Sequence, residues 1–244
     1  MSTVKDHSQE SKFLDLTRRL ILNLSLELWT PLSITKEGMN LLWPKIHERL
    51  WEREKKVFVT SKENIERLSR SVNNLLDLLK MESGTLEFKR KKTALRDLLK
   101  HAGLLFEPQV KMKGLEFYIH FPEDELYVYA NTDRILQVLG YLVDNAIKFT
   151  KKGFIEISVI EKEKTVECFV KDTGLGIPSD RLPLILERFQ QHLVQKNVKP
   201  GLGLGLLLAK GLVNLHQGKI WIKSQEDKGT RVFFALPKYT SIKG

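Results

Sequence analysis

From Ile65 onward, Ile65, Leu68, Val72, Leu75 and Leu79 follow one another at alternating steps of three and four residues. That spacing keeps one apolar stripe aligned along an α-helix, the seam pattern of coiled coils, so the stretch reads as a long helix that buries a single face. Helical spacing also runs from Phe13 to about Leu42, where Phe13, Leu20, Ile21, Leu24 and Leu28 fall within one arc of the helix. Two such helices, joined through the segment around Pro44 to Thr60, predict an antiparallel hairpin. A lone hairpin has too little core, so two copies are expected to pair as a homodimer in a four-helix bundle. Gly84 closely follows the second helix and suits a C-terminal cap. The segment from Met81 to Lys92 is the expected boundary, dividing residues 1–90 from 91–244.

Beyond it the period changes repeatedly, as a mixed α/β domain requires. Helices are expected near Leu95 to Val110, Asp133 to Phe149, Ser179 to Phe189 and Gly203 to His216. Strands are expected at Leu115 to Phe121, Tyr127 to Ala130, Phe154 to Glu161, Thr165 to Asp172, Lys219 to Ser224 and Thr230 to Leu236. The single cysteine, Cys168, sits in an apolar run and has no companions at metal-ligand spacing, so it reads as a buried structural thiol. No window approaches a membrane-spanning run and the first thirty residues lack signal-peptide order, so a cytoplasmic chain without membrane insertion is expected. The net charge of +10 favours acidic partners. Its lysines and arginines are scattered rather than interleaved with aromatics, which argues against nucleic acid.

Three elements of the second half share one chemistry. The helix from Asp133 is expected to bury Leu136, Leu139, Leu142, Val143, Ala146 and Ile147, leaving Gln137, Tyr141, Asn145 and Lys148 along its other face. A carboxamide oxygen suits a hard cation such as Mg²⁺, and an ammonium suits phosphate. After a strand comes Asp172-Thr173-Gly174-Leu175-Gly176, where glycines admit close backbone approach and a carboxylate can accept from an exocyclic amine. Gly201-Leu202-Gly203-Leu204-Gly205 then opens a helix whose free N–H groups can face an anion.

In that order the elements resemble the histidine kinases. Asp144 to Thr150 resembles the N box, Asp172 to Pro178 the G1 box, Glu187-Arg188-Phe189 the F box, Gly201 to Gly205 the G2 box, and Gly229-Thr230 the G3 element. The resemblance extends over about Lys12 to Pro237. It implies a fold of class α+β, in which a dimeric helical hairpin precedes the Bergerat ATP-binding sandwich. It implies ATP and Mg²⁺ as cofactors, with Asn145 on the metal and Lys148 on phosphate. Asp172 would read the adenine amine, Gly174, Gly176 and Thr230 would shape its pocket, and residues 190–200 would form a lid. Phe189, Gly201, Gly203 and Gly205 complete the implied binding set. His216 stands where the family often has a structural histidine. Tyr141 departs from the family, which carries asparagine or another polar residue there.

Leu24 to Leu32 resembles the H box, but leucine, Leu26, occupies the phosphoacceptor position and Trp29 replaces an arginine. A ring nitrogen of histidine is nucleophilic near neutral pH, whereas leucine has no lone pair. Glu27 and Thr30 are kept, in the pattern by which such kinases position water to dephosphorylate a response regulator. Leu22, Leu26 and Trp29 lie opposite the seam and would form an apolar patch there. The expectation is a degenerate, nucleotide-gated signalling module that works with a response regulator or a partner histidine kinase. The alternatives are a response-regulator phosphatase using Glu27 and Thr30, and a kinase acting in trans on another histidine.

Overall fold

The structure is a computed structural model that describes residues 27–183, 185 and 204–239. The chain divides into two compact units, Met1–Leu86 and Glu87–Gly244. In the first, helix α1 is described over 27–46, a short 3-10 turn spans His47–Arg49, and helix α2 spans Glu52–Glu82. The link between the helices is therefore much shorter than Pro44 to Thr60. Pro44 lies inside the last turns of α1, where a proline forfeits one backbone bond but keeps a helical φ. Beside it, Trp43 stacks on Phe58 of α2 with ring centroids 5.1 Å apart. Glu54 closes the first turn of α2 by accepting from the Trp51 N–H at 2.9 Å.

The buried residues of α2 are Val72, Leu76, Leu78 and Leu79, all toward its C-terminal end. Leu28 and Leu68, both placed on the seam, are 52% and 51% exposed within a single chain. Gly84 ends α2 at φ +68°, and the N–H groups of Thr85 and Leu86 both donate to the Lys80 carbonyl at 3.0 Å. No atom lies within 4 Å of where a Cβ would stand on Gly84, so the left-handed backbone alone requires glycine.

The second unit contains β1 (Lys91–Ala94), α3 (Leu95–Met112), β2 (Glu116–Ile119), β3 (Tyr127–Ala130), α4 (Thr132–Phe149), β4 (Phe154–Glu161) and β5 (Thr165–Asp172). After these come α5 (Leu204–Leu215), β6 (Lys219–Gln225) and β7 (Gly229–Pro237). Five strands form one sheet in the order β2-β4-β5-β7-β6, with β2 parallel to β4 and every other pair antiparallel. Strands β1 and β3 make a separate antiparallel pair. Strand β1 begins inside the expected boundary segment and is not among the expected strands.

One face of the large sheet presents Ile155, Ile157, Val166, Cys168, Val170, Phe234 and Leu236, all buried. Helices α4 and α5 pack on one another and on the sheet, closing this face with Leu139, Leu142, Val143, Leu208 and Leu212. Burial pushes the Cys168 thiol up to about 12, which makes it an inert core group. The buried stripe of α4 includes Ile135 and Val138, while Leu136 and Ile147 are only half-buried, a rotation of the expected face by about one residue. Of the helix expected at Ser179 to Phe189, the described residues include only its start.

Candidate functional site

Helix α4 begins at a fixed point. The Asn131 side chain caps it, accepting from the Arg134 N–H at 3.2 Å. The Asn131 N–H donates to Nε2 of His216 at 3.0 Å, and Nδ1 of His216 donates to the Leu212 carbonyl at 2.7 Å. These two bonds define the neutral Nδ1–H tautomer. Burial, the largest influence, lowers the pKa of this imidazole, and Phe88 covers it edge-on at 4.6 Å. His216 is thus a bolt between the end of α5 and the start of α4, as a structural histidine should be.

Along the outward face of α4, Nη1 of Arg134 donates to Oε1 of Gln137 at 2.9 Å, and Nε2 of Gln137 donates to the Tyr141 oxygen at 2.8 Å. The Tyr141 ring lies against the first turn of α5: a Cβ on Gly205 would stand 3.1 Å from its Cδ1. Further along the same face, Asn145 is half-buried and Lys148 exposed, with its ammonium 5.2 Å from the Phe149 ring centroid. Among the described residues no three His, Cys, Asp or Glu side chains cluster as a metal cage. A cation held near Asn145 would therefore take most of its ligands from phosphate and water, the usual habit of Mg²⁺, and one half-buried carboxamide fits that demand.

Asp172 closes β5 at 8% exposure. Its Oδ1 accepts from the Gly174 N–H at 2.8 Å and from the Thr230 N–H at 3.3 Å. Desolvation raises its pKa, and those two backbone bonds pull it part of the way back. Both donors reach the same oxygen, Oδ1. Gly174 must be glycine because a Cβ there would collide with the Phe149 carbonyl, and Gly176, at φ +65°, would drive one into the Gln225 carbonyl.

The loop after Asp172 is held on two sides. Leu175 donates to the Phe149 carbonyl at 3.2 Å, at the end of α4, and Asp227 in the β6–β7 turn donates to the Leu175 carbonyl at 2.8 Å. Ser224 is the tie that sequence reasoning missed. Its Oγ accepts from the Ile177 N–H at 2.9 Å and lies 2.9 Å from Oγ1 of Thr230 and 3.0 Å from the Gly229 carbonyl. The only sequence signal for it is its place directly opposite Thr230 in the ladder.

The structure thus bonds Gly174 and Thr230 to Asp172 and sets Gly176 against the β6–β7 turn, and it places Asn145 and Lys148 on α4 with Gly205 against it. Phe189, Gly201, Gly203, the expected lid and Leu26 lie outside the described residues. Glu27 and Thr30 are both exposed on α1. Among the described residues, no helix is long and apolar enough to cross a membrane.

The family of histidine kinase-, DNA gyrase B-, and HSP90-like ATPases matches residues 130–240. The sensor histidine kinase WalK of Bacillus subtilis is 32% identical over 97% of this chain, which covers 39% of WalK. The chain spans about two fifths of the length of the curated relatives it matches. The catalytic domain of the histidine kinase ThkA superposes at a TM-score of 0.52 with 30% identity, over 63% of this chain and 99% of that domain. Full-length ShkA, solved with AMPPNP, shares the fold at a TM-score of 0.72 and 24% identity, over 91% of this chain and 46% of that one.

Proposed function

The chain is a histidine-kinase-like ATP-binding core related to the sensor histidine kinases, and from that premise we propose that it binds Mg-ATP yet does not phosphorylate itself at its H box. The observation that carries the second half is Leu26 at the acceptor position: an alkyl side chain offers no nucleophile, and no rotamer supplies one. The first half is supported by the wall around Asp172. Its Oδ2 accepts the adenine amine, while Gly174, Gly176 and Thr230 set the pocket's shape. Lys148 holds phosphate, and Asn145 holds the Mg²⁺ ion, which supplies charge neutralisation along the phosphates. Gly205 lets the first turn of α5 approach those phosphates with its free N–H groups.

On this reading the protein is a dimeric, nucleotide-gated component of a two-component system. Its hairpin pairs with a second copy, covering Leu28 and Leu68, and its output passes to a response regulator or a partner histidine kinase. A second reading has support of its own: Glu27 and Thr30 are exposed three residues apart on α1, where a carboxylate and a hydroxyl could position water against a phosphorylated response regulator. The test is incubation with γ-labelled ATP, alone and with candidate histidine kinases and response regulators. Retained nucleotide without label on the chain is the expected result. Stable label on the chain itself would refute the proposal, and loss of label from a pre-phosphorylated regulator only when Glu27 is intact would select the phosphatase reading.

A further inference from the structure

The face of the sheet turned away from the helices carries a feature that nucleotide binding on the helical side leaves unused. Residues alternate along each strand, so Lys171 on β5, Arg231 on β7 and Lys223 on β6 all point to this second face. They stand side by side, with Lys171 opposite Arg231 and Arg231 opposite Lys223. Glu156 extends the row onto β4 and forms an ion pair with Lys171 at 3.3 Å. Among the described residues neither Arg231 nor Lys223 has a carboxylate at ion-pair distance. Like charges directly opposite one another destabilise a sheet, and here Glu156 pairs with only one of the three cations.

The cations are held in place rather than left loose. The Arg231 guanidinium lies 4.8 Å from the Phe169 ring centroid and 5.7 Å from that of Phe233. The Lys223 ammonium is 5.6 Å from Phe233, and the Lys171 ammonium is 4.8 Å from Phe154. Trp221 stacks on Phe233 at 5.2 Å with the ring planes 1° apart. Phe169 and Phe233 are only 6% and 5% exposed, so these rings are already covered and are not free to stack on nucleobases. What the face offers outward is fixed positive charge. It borders a shallow cavity of about 310 Å³ whose lining includes Lys171, Lys223, Lys228 and Arg231 together with Asp172 and Thr230.

We propose that this cavity is a second anion site, which takes a compact polyphosphate-type ligand. Three adjacent strands bring the row's cations within about 10 Å of one another, a span that a short chain of phosphates covers and a lone carboxylate does not. Cations gathered in one short row favour such a ligand over the extended acidic surface of a protein. The cavity shares Asp172 and Thr230 with the nucleotide reading, but its cations lie on the opposite face of the sheet, outside α4 and the glycine loops, so the two readings can fail separately.

The test is titration of sodium tripolyphosphate into the full chain, followed through the Trp221 indole N–H resonance, which is identified by its absence in Trp221→Phe. A saturable shift is expected, with affinity falling roughly tenfold or more in Lys223→Gln/Arg231→Gln, as befits two lost charge-assisted bonds. Lys223→Gln/Lys228→Gln leaves Arg231 on its rings and should also weaken binding, while Lys148→Gln should leave this shift intact. Raising the salt concentration should weaken it progressively. No saturable shift, or one unaffected by both double variants, overturns the proposal. So does a shift produced by ATP but not by tripolyphosphate, which would place the ligand in the nucleotide pocket. An equal response to a poly-glutamate peptide of matched charge would overturn it in favour of a protein partner.

Discussion

Replacing Asp172 with asparagine separates what this residue does for the fold from what it does for a ligand. In the folded chain its Oδ1 takes the Gly174 and Thr230 N–H groups, and an asparagine carbonyl can keep both bonds. Those bonds weaken from charge-assisted to neutral, a loss of about 1 kcal/mol each at most. Against that loss, the cost of burying a charge disappears. The raised pKa of Asp172 shows that desolvation outweighs the two bonds, so the variant should be as stable as the parent near neutral pH, or slightly more stable. The pH dependence follows from linkage. With its pKa raised on folding, the native carboxyl holds a proton more tightly than the unfolded one, so the parent loses stability as pH rises from the ordinary value of 3.8 through the raised one. The neutral carboxamide of Asp172→Asn removes that slope. Adenine binding should nevertheless weaken by about 1–3 kcal/mol, because the new amide nitrogen confronts the adenine amine donor to donor. Urea melts without nucleotide between pH 4 and 7, with ATP calorimetry at pH 7, check both halves. A variant clearly less stable at pH 7 than at pH 4 relative to the parent would refute the electrostatic reasoning, and unchanged ATP affinity would refute the placement of adenine.

Three further outcomes are expected. Ser224→Ala leaves the Ile177 N–H without its acceptor and should cost about 1–3 kcal/mol in urea melts; amide exchange from Gly174 to Ile177 should accelerate with it. For His216, burial lowers the pKa below the ordinary 6.5, so the stability tied to its neutral form is complete above that value and is lost as pH falls toward the lowered one. His216→Phe should flatten this part of the melting profile while lowering the plateau by about 1–3 kcal/mol through the orphaned Asn131 N–H; a retained slope would assign it to another group. Leu68→Glu with Leu75→Glu should yield monomers by light scattering, and a parent chain already monomeric at micromolar concentration would sink the dimer.

Sequence periodicity located best what is local and long. Strands β4 and β5, eight residues each, stand at Phe154–Glu161 and Thr165–Asp172, the limits that alternation predicts. Strand β1 escaped because its four residues, Lys91–Ala94, bury only Thr93 and are strand-like solely through their pairing with β3. The parallel pairing of β2 with β4 was equally invisible, since nothing in Glu116–Ile119 distinguishes a parallel partner from an antiparallel one. The hairpin link is shorter than expected because a proline such as Pro44 suggests a break, yet near a helix end the missing N–H costs one bond and the chain continues.

The site shows the same division between chemistry that one residue carries and chemistry that needs two. Asp172, Gly174 and Gly176 could be singled out from their own types, because a carboxylate and the lack of a Cβ are properties of single positions. Ser224 could not, since its role arises only when the β6–β7 ladder sets it opposite Thr230 and within reach of Ile177. Tyr141 falls between the two. The sequence placed it on the same face of α4 as Asn145 and Lys148, but not against Gly205 or in a hydrogen bond with Gln137. Those partners give it a packing role that an asparagine is too short to fill, because the carboxamide ends well before the phenol oxygen. Tyr141 therefore links α4 to the first turn of α5, and a substitution there disturbs that contact.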